Sequence, residues 1–344
     1  MKPFRQSLMV SILILSFLFG AGQGLGQEKK MVLRIADSFP PGHFMIRYTV
    51  KPWMEKVTKA TNGLVEFQHY PAEQLGKAKD LLALTLSGVT DIGYVGPSYV
   101  MEKMPLSAVV ELPGNFPTSC VGTKAHWSLA QDGLIYQKEL VPNGIRLLFH
   151  LSLPAYQLLT RKKFETLKDI ENLKIRTAGG AMDLTVRYLK AVPVRMPAPE
   201  IYEAVSRGTL DGGILPIASV VAYNWGDVFK FSTIGQNFGS FVLDYVVSEK
   251  RWKTFPPNVQ KAMLEAGEAV TMSSCVNMDQ DEDSHFAKLK SQGMTMVRLS
   301  PGDDSQLKSQ AGEVALEWAK GMDAKGKPGT QVLNAFREAV QKFR

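Results

Sequence analysis

The segment from Leu167 to Pro216 sets the narrowest limits on how this chain can fold. It opens with a helical turn, LKDIENL. A short β-pattern follows, Lys174–Thr177, with Arg176 near its end and Gly179-Gly180 just beyond. After a helical stretch comes a second strand, Val192–Met196. A helix from Glu200 then stops at Gly208, and a third strand covers Leu210–Leu215. Strands that alternate with helices predict a parallel sheet covered by helices. In such sheets ligands sit outside the carboxyl ends of the strands. An arginine there is suited to a carboxylate, because its planar guanidinium donates two parallel charge-assisted hydrogen bonds. From spacing alone, a surface ion pair explains Arg176 equally well.

The amino-terminal part repeats the alternation. Val32–Ala36, Val65–Tyr70 and Asp91–Val95 read as strands. A helix over Met45–Thr61 and another ending near Leu86 separate them. Further strands are expected at Ile145–Leu151, Tyr156–Thr160, Phe241–Ser248 and Thr295–Leu299, and a helix over 120–140. A long helix is expected from Arg251, with Pro256-Pro257 at its start and Gly293 at its end. The tail from Asp303 reads as helix, interrupted at 326–329.

The pattern of residues resembles the substrate-binding proteins of TRAP transporters (tripartite ATP-independent periplasmic transporters, DctP-type). Matching residues are Leu167, Asp169, Leu173-Lys174-Ile175-Arg176, Pro193, Met196, Glu200, Tyr202, Ala204, Gly208, Asp211-Gly212 and Pro216. Far from these, Tyr70-Pro71-Ala72-Glu73-Gln74-Leu75-Gly76, Asp91-Ile92-Gly93, and Leu112-Pro113 with Phe116 match as well. The resemblance spans nearly all of the chain after residue 26. It implies two α/β domains, each a mainly parallel sheet flanked by helices, with a long helix spanning both and a ligand cleft between them. The first would take 27–153 and 242–281, the second 154–241 and 282–344. The resemblance also implies that Arg176 binds the carboxylate of an organic acid, which a membrane permease then receives.

Two departures from the family pattern bear on the ligand. Where many relatives carry a second arginine this chain has Tyr156, and where many carry an asparagine it has Leu215. Fewer donors and more apolar wall favour a monocarboxylate with an apolar or aromatic body. Trp225, Tyr223, Phe238 and Phe241 are candidate walls, although each taken singly is more often core. Tyr94 and Phe39 stand where first-domain strands end. Glu200 and Asp211 read as structural.

Residues 1–26 read as a secretory signal, with Lys2 and Arg5 before the apolar run Leu8–Phe19, which is short for a membrane span. A periplasmic location follows. Losing Lys2 and Arg5 takes the formal net charge from +7 to +5. The charges are mixed along the chain, so no nucleic-acid footprint is present. A monomer is expected. An oxidising compartment permits a disulfide between Cys120 and Cys275, but both lie in apolar helical contexts, and free buried thiols are the expectation.

Enzyme signals are poor. The five histidines are scattered, and no HExxH, CxxC, GxSxG or phosphate loop occurs, so neither cofactor nor metal is expected. Asp279, Asp281, Glu282, Asp283 and His285 mimic a calcium loop, but Ser284 and Lys290 stand where such a loop needs glycine and glutamate, so a solvated helix face is expected. The other readings are a C4-dicarboxylate receptor, a receptor of an ATP-driven transporter, a ligand-sensing domain and a secreted α/β enzyme. The last would need an acid or base in the cleft.

Overall fold

A computed structural model describes residues 30–344; the expected signal segment lies outside the described residues. The strands are β1 (Met31–Ala36), β2 (Val65–Tyr70), β3 (Ile92–Val95), β4 (Ile145–Ser152), β5 (Gln157–Thr160), β6 (Lys174–Thr177), β7 (Val192–Arg195), β8 (Gly212–Leu215), β9 (Phe231–Thr233), β10 (Val242–Ser248) and β11 (Thr295–Val297). They form two sheets, ordered β2-β1-β3-β10-β4 and β11-β9-β5-β8-β6-β7. In the first, β1 runs parallel to β2 and β3, and β10 is antiparallel to both its neighbours. In the second, β6 runs parallel to β7 and β8, and β5 is antiparallel to β8 and β9. Each sheet is thus mainly parallel with one reversed strand, supplied where the chain crosses from the other sheet.

The helices are α1 (Lys51–Ala60), α2 (Leu81–Ser87), α3 (Ser119–Ala130), α4 (Ala181–Tyr188), α5 (Ile201–Ser206), α6 (Ile217–Ala222), α7 (Glu249–Trp252), α8 (Pro257–Ser291), α9 (Pro301–Asp323) and α10 (Gly329–Phe343). The long α8 packs on α1, α3 and β4 of the first sheet and on α6 of the second. The helix expected over 120–140 is broken. α3 ends at Ala130, and a separate wide turn covers Tyr136–Leu140. Gly133 lies in the gap, where an added Cβ would stand 2.7 Å from the carbonyl oxygen of Ser128. Strand β9 has only three residues and no alternation to betray it. The tail does not pack as one block with the second sheet. Val332, Leu333, Phe336 and Val340 of α10 share a core with Val121 and Ala125 of α3, beside the first sheet.

The two cysteines form a disulfide that ties α3 to α8 across 155 positions, which overturns the expectation of free thiols. Their helical, apolar contexts are as expected. What the sequence lacks is any sign that α3 and α8 touch. The acidic run on α8 is corrected by the same contact. The Asp279 carboxylate accepts from the backbone N–H groups of Ser119 (2.7 Å) and Cys120 (3.0 Å), capping α3 beside the disulfide. An anion there satisfies orphan donors and complements the helix dipole. Asp281 accepts from the Tyr48 hydroxyl, so the run is only partly a solvated face.

Closing so long a loop removes denatured-state entropy equivalent to roughly 5 kcal/mol in the chain-entropy description. Replacing both cysteines by serine is therefore expected to move the urea midpoint down clearly. Overlapping urea curves for the double variant and the oxidised parent would show that the bond contributes nothing.

Candidate ligand site

The parallel strands of both sheets deliver their carboxyl ends to one cavity. Ser38, Phe39 and His43 follow β1; Tyr94 lies in β3 and Tyr99 in the turn after it. From the second sheet come Arg176 of β6, Leu215 and Pro216 at the end of β8, and Ser219, Tyr223 and Trp225 beyond. Tyr156 precedes β5 and Phe241 precedes β10. Because those strands are reversed, their amino ends reach the same place. The free space between these side chains is about 30 Å³, room for a water or two, so an organic acid enters only as the walls move apart.

Arg176 is buried, with 2% of its surface exposed. Its Nε donates to the Met196 carbonyl (3.0 Å), and one terminal nitrogen donates to the Tyr99 hydroxyl (3.3 Å). Tyr99 also accepts from the backbone N–H of Ala198 (3.2 Å), so first-sheet and second-sheet groups meet at the guanidinium. Among the described residues, no carboxylate lies within the 4.0 Å of an ion pair with it. The acid that feels its charge is Glu111, which is fully buried and bonded to the Ser98 hydroxyl. Burial pushes the Glu111 carboxyl up to about 8, with the Ser98 bond and the Arg176 charge opposing only in part. At neutral pH Glu111 is therefore mostly uncharged, and the cavity keeps an unbalanced positive charge.

Gly179 and Gly180 let the chain turn from β6 into α4 with φ of 111° and 55°. A Cβ at Gly180 would stand 2.5 Å from the Ser98 hydroxyl, and one at Gly179 2.9 Å from the Met101 sulfur. Only glycine permits both the turn and the close approach of the segment after β3. On the first sheet, Asp37 fixes the loop that carries Phe39. Its carboxylate accepts from the Phe39 N–H (3.0 Å) and the Tyr245 hydroxyl (3.0 Å) and pairs with His69 Nε2 (2.7 Å).

Arg176, Tyr156, Leu215, Trp225, Tyr94 and Phe39 line this cavity together. Phe238 does not. It is fully buried in the core, its N–H bonded to the Tyr156 carbonyl (3.1 Å), and Phe241 three residues on supplies the wall instead. Sequence reasoning missed Ser38, His43, Tyr99 and Ser219. Tyr99 was open to the argument that found Tyr94, since it stands just past the same strand end. His43 and Ser219 gave no signal beyond lying after a strand. Away from the cavity, His126, His150 and Asp244 cluster behind the first sheet. The facing atoms are 3.8 and 4.0 Å apart for the two histidines against Asp244, wider than the roughly 3.3–3.5 Å that zinc bonds of ~2.0–2.1 Å impose on a tetrahedral set.

The chain belongs to the bacterial extracellular solute-binding proteins, family 7 (DctP), whose family model matches residues 35–321. A TRAP solute-binding protein of Rhodoferax ferrireducens, solved with copurified benzoate, superposes with a TM-score of 0.84 at 23% identity, covering 91% of this chain and 98% of its own. One from Bordetella bronchiseptica with bound (R)- and (S)-mandelate gives 0.82 at 21%, covering 91% and 100%. A marine metagenome protein with 3-hydroxybenzoate gives 0.84 at 22%, covering 92% and 99%. Members of this family are extracytoplasmic solute binders, and among the described residues no helix is long and apolar enough to cross a membrane.

The Glu111 carboxyl has a testable consequence. An acid whose pKa is raised on folding, here from 4.5 to about 8, binds more protons in the native state between those values. It therefore takes stability away as pH rises through that window. Glu111→Gln should flatten the fall in melting temperature across the window relative to wild type and be the more stable of the two above it. Parallel melting-temperature profiles for the two proteins would contradict a buried neutral Glu111.

Proposed function

We propose that the chain is the periplasmic receptor of a TRAP transporter, exported by the signal segment at 1–26, that captures a monocarboxylate with an aromatic or otherwise apolar body. The observation that carries this reading is the buried, acid-free Arg176 set among aromatic rings. Arg176 would fork the carboxylate, while Phe39, Tyr94, Tyr156, Leu215 and Trp225 enclose the rest. The two lobes, one around each sheet, would close about the crossing segments as hinge-linked domains do. The closed form would hand the acid to the permease with no chemistry performed on it.

A C4-dicarboxylate fits poorly. Arg176 is the one cationic side chain lining the cavity among the described residues, since burial lowers His43 to about 3 and keeps it neutral. A second carboxylate would be buried without a partner, at a cost of several kcal/mol. The benzoate, mandelate and hydroxybenzoate bound by the similar proteins agree with this choice.

A ligand that binds only the native state raises the melting temperature. In a thermal-shift screen of organic acids, aromatic monocarboxylates should stabilise the wild type and succinate should not. Arg176→Ala should weaken binding roughly a hundred-fold or more, because the carboxylate is left buried and unpaired. Equal shifts in wild type and Arg176→Ala, or a larger shift with succinate than with any aromatic acid, would refute the reading.

A further inference from the structure

Two polar atoms in the cavity wall have no partner among the described residues. They are His43 Nε2 and the Tyr223 hydroxyl, and both atoms are buried. His43 is 1% exposed and sits in the turn after β1. Its Nδ1 accepts the backbone N–H of Met45 (3.2 Å), so that nitrogen carries a lone pair. Burial keeps the ring neutral. The ring proton therefore sits on Nε2, which is an N–H donor with nothing to donate to. Tyr223, after α6 on the other sheet, can donate and accept. The two rings meet edge to face with centroids 5.2 Å apart.

Neither ring is free to turn away. Phe39 stacks on His43 at 4.5 Å and Phe44 packs on it at 4.0 Å. Trp225 stacks on Tyr223 at 4.6 Å with the planes 10° apart. An unmade hydrogen bond at a buried, immobilised donor is unfavourable enough that such pairs are rarely left without a role. Arg176 does not relieve either of them, because its own bonds go to Met196 and Tyr99.

We infer that the cavity holds a second polar station, distinct from Arg176, in which His43 Nε2 and the Tyr223 hydroxyl together bind a hydroxyl oxygen on the ligand, making the preferred ligand a hydroxyl-bearing aromatic monocarboxylate. The inference rests on the carboxylate-receptor reading above. The hydroxyl oxygen accepts from the imidazole N–H and exchanges a hydrogen bond with the phenol, one contact from each sheet. An unsubstituted aromatic acid satisfies Arg176 but leaves both wall atoms unpaired. A site built to bond a hydroxyl discriminates strongly against the analogue lacking it. Closure is then read at two points, since each station joins a residue of one sheet to a residue of the other.

The test is calorimetric titration of the mature protein with benzoate and with 2-, 3- and 4-hydroxybenzoate, in wild type, Tyr223→Phe and His43→Phe. At least one hydroxylated isomer should bind wild type about tenfold or more tighter than benzoate. Tyr223→Phe removes a single oxygen and should bring that ratio close to one. His43→Phe should reduce the same ratio independently. If benzoate binds wild type as tightly as every hydroxylated isomer, or if the preference survives both substitutions, the second station is wrong while the Arg176 reading stands. If none of the four acids binds, both the receptor reading for aromatic acids and this inference fall.

Discussion

A guanidinium buried between two sheets must be balanced, and among the described residues no side chain balances it. Arg176 spends two of its donors on a backbone carbonyl and a tyrosine oxygen, neither of which carries charge. Glu111, the acid that senses it, is held mostly neutral by its own burial. The remaining charge is a standing demand for an anion, and it is made in a cavity whose other walls are mostly aromatic. Charge and surface together are what the proposed carboxylate with an apolar body would meet, and the family to which the chain belongs binds solutes outside the cytoplasm.

The rest of the architecture holds that demand in place. Parallel strands point their carboxyl ends at the cavity, and the two reversed strands bring Tyr156 and Phe241 to the same edge. Gly179-Gly180 allows the turn after Arg176 to lie against Ser98 and Met101 from the other sheet. Tyr99 bridges the lobes by receiving hydrogen bonds from Arg176 and from the Ala198 backbone. On the far side, the disulfide and the Asp279 cap fasten α3 to α8, the helix that touches both sheets. Rigidity is thus concentrated away from the cavity, and the contacts that meet across it are single hydrogen bonds and close van der Waals approaches, which can open and close together.

Much of the fold was legible because it is local. Alternating patterns and glycine or proline stops placed β2 and β6 at their observed bounds and most other strands within two residues. The rule that ligands gather at strand ends led to Arg176, Tyr94 and Phe39, and departures from the family pattern led to Tyr156 and Leu215. What stayed hidden depends on contacts between distant segments. The pairing of Cys120 with Cys275 needs α3 to lie on α8, and the role of Asp279 needs the same contact. α10 follows directly on the second-sheet segments, yet its apolar face is spent on α3. Phe238 and Phe241 are three residues apart in an irregular crossing segment, and no periodicity tells which one faces the cavity. The orphaned nitrogen of His43 is visible only once its other nitrogen is seen to accept from Met45.

The central claim is that the cavity is selective for negative charge at Arg176, and the most direct measurement compares benzoate with benzamide by calorimetry on the wild-type protein at neutral pH. The two molecules have nearly the same shape and differ in charge at the group Arg176 would hold. The account predicts that benzamide binds roughly a hundred-fold or more weakly, since it cannot balance the buried guanidinium. Comparable affinities would contradict it, because binding would then follow from the aromatic walls alone.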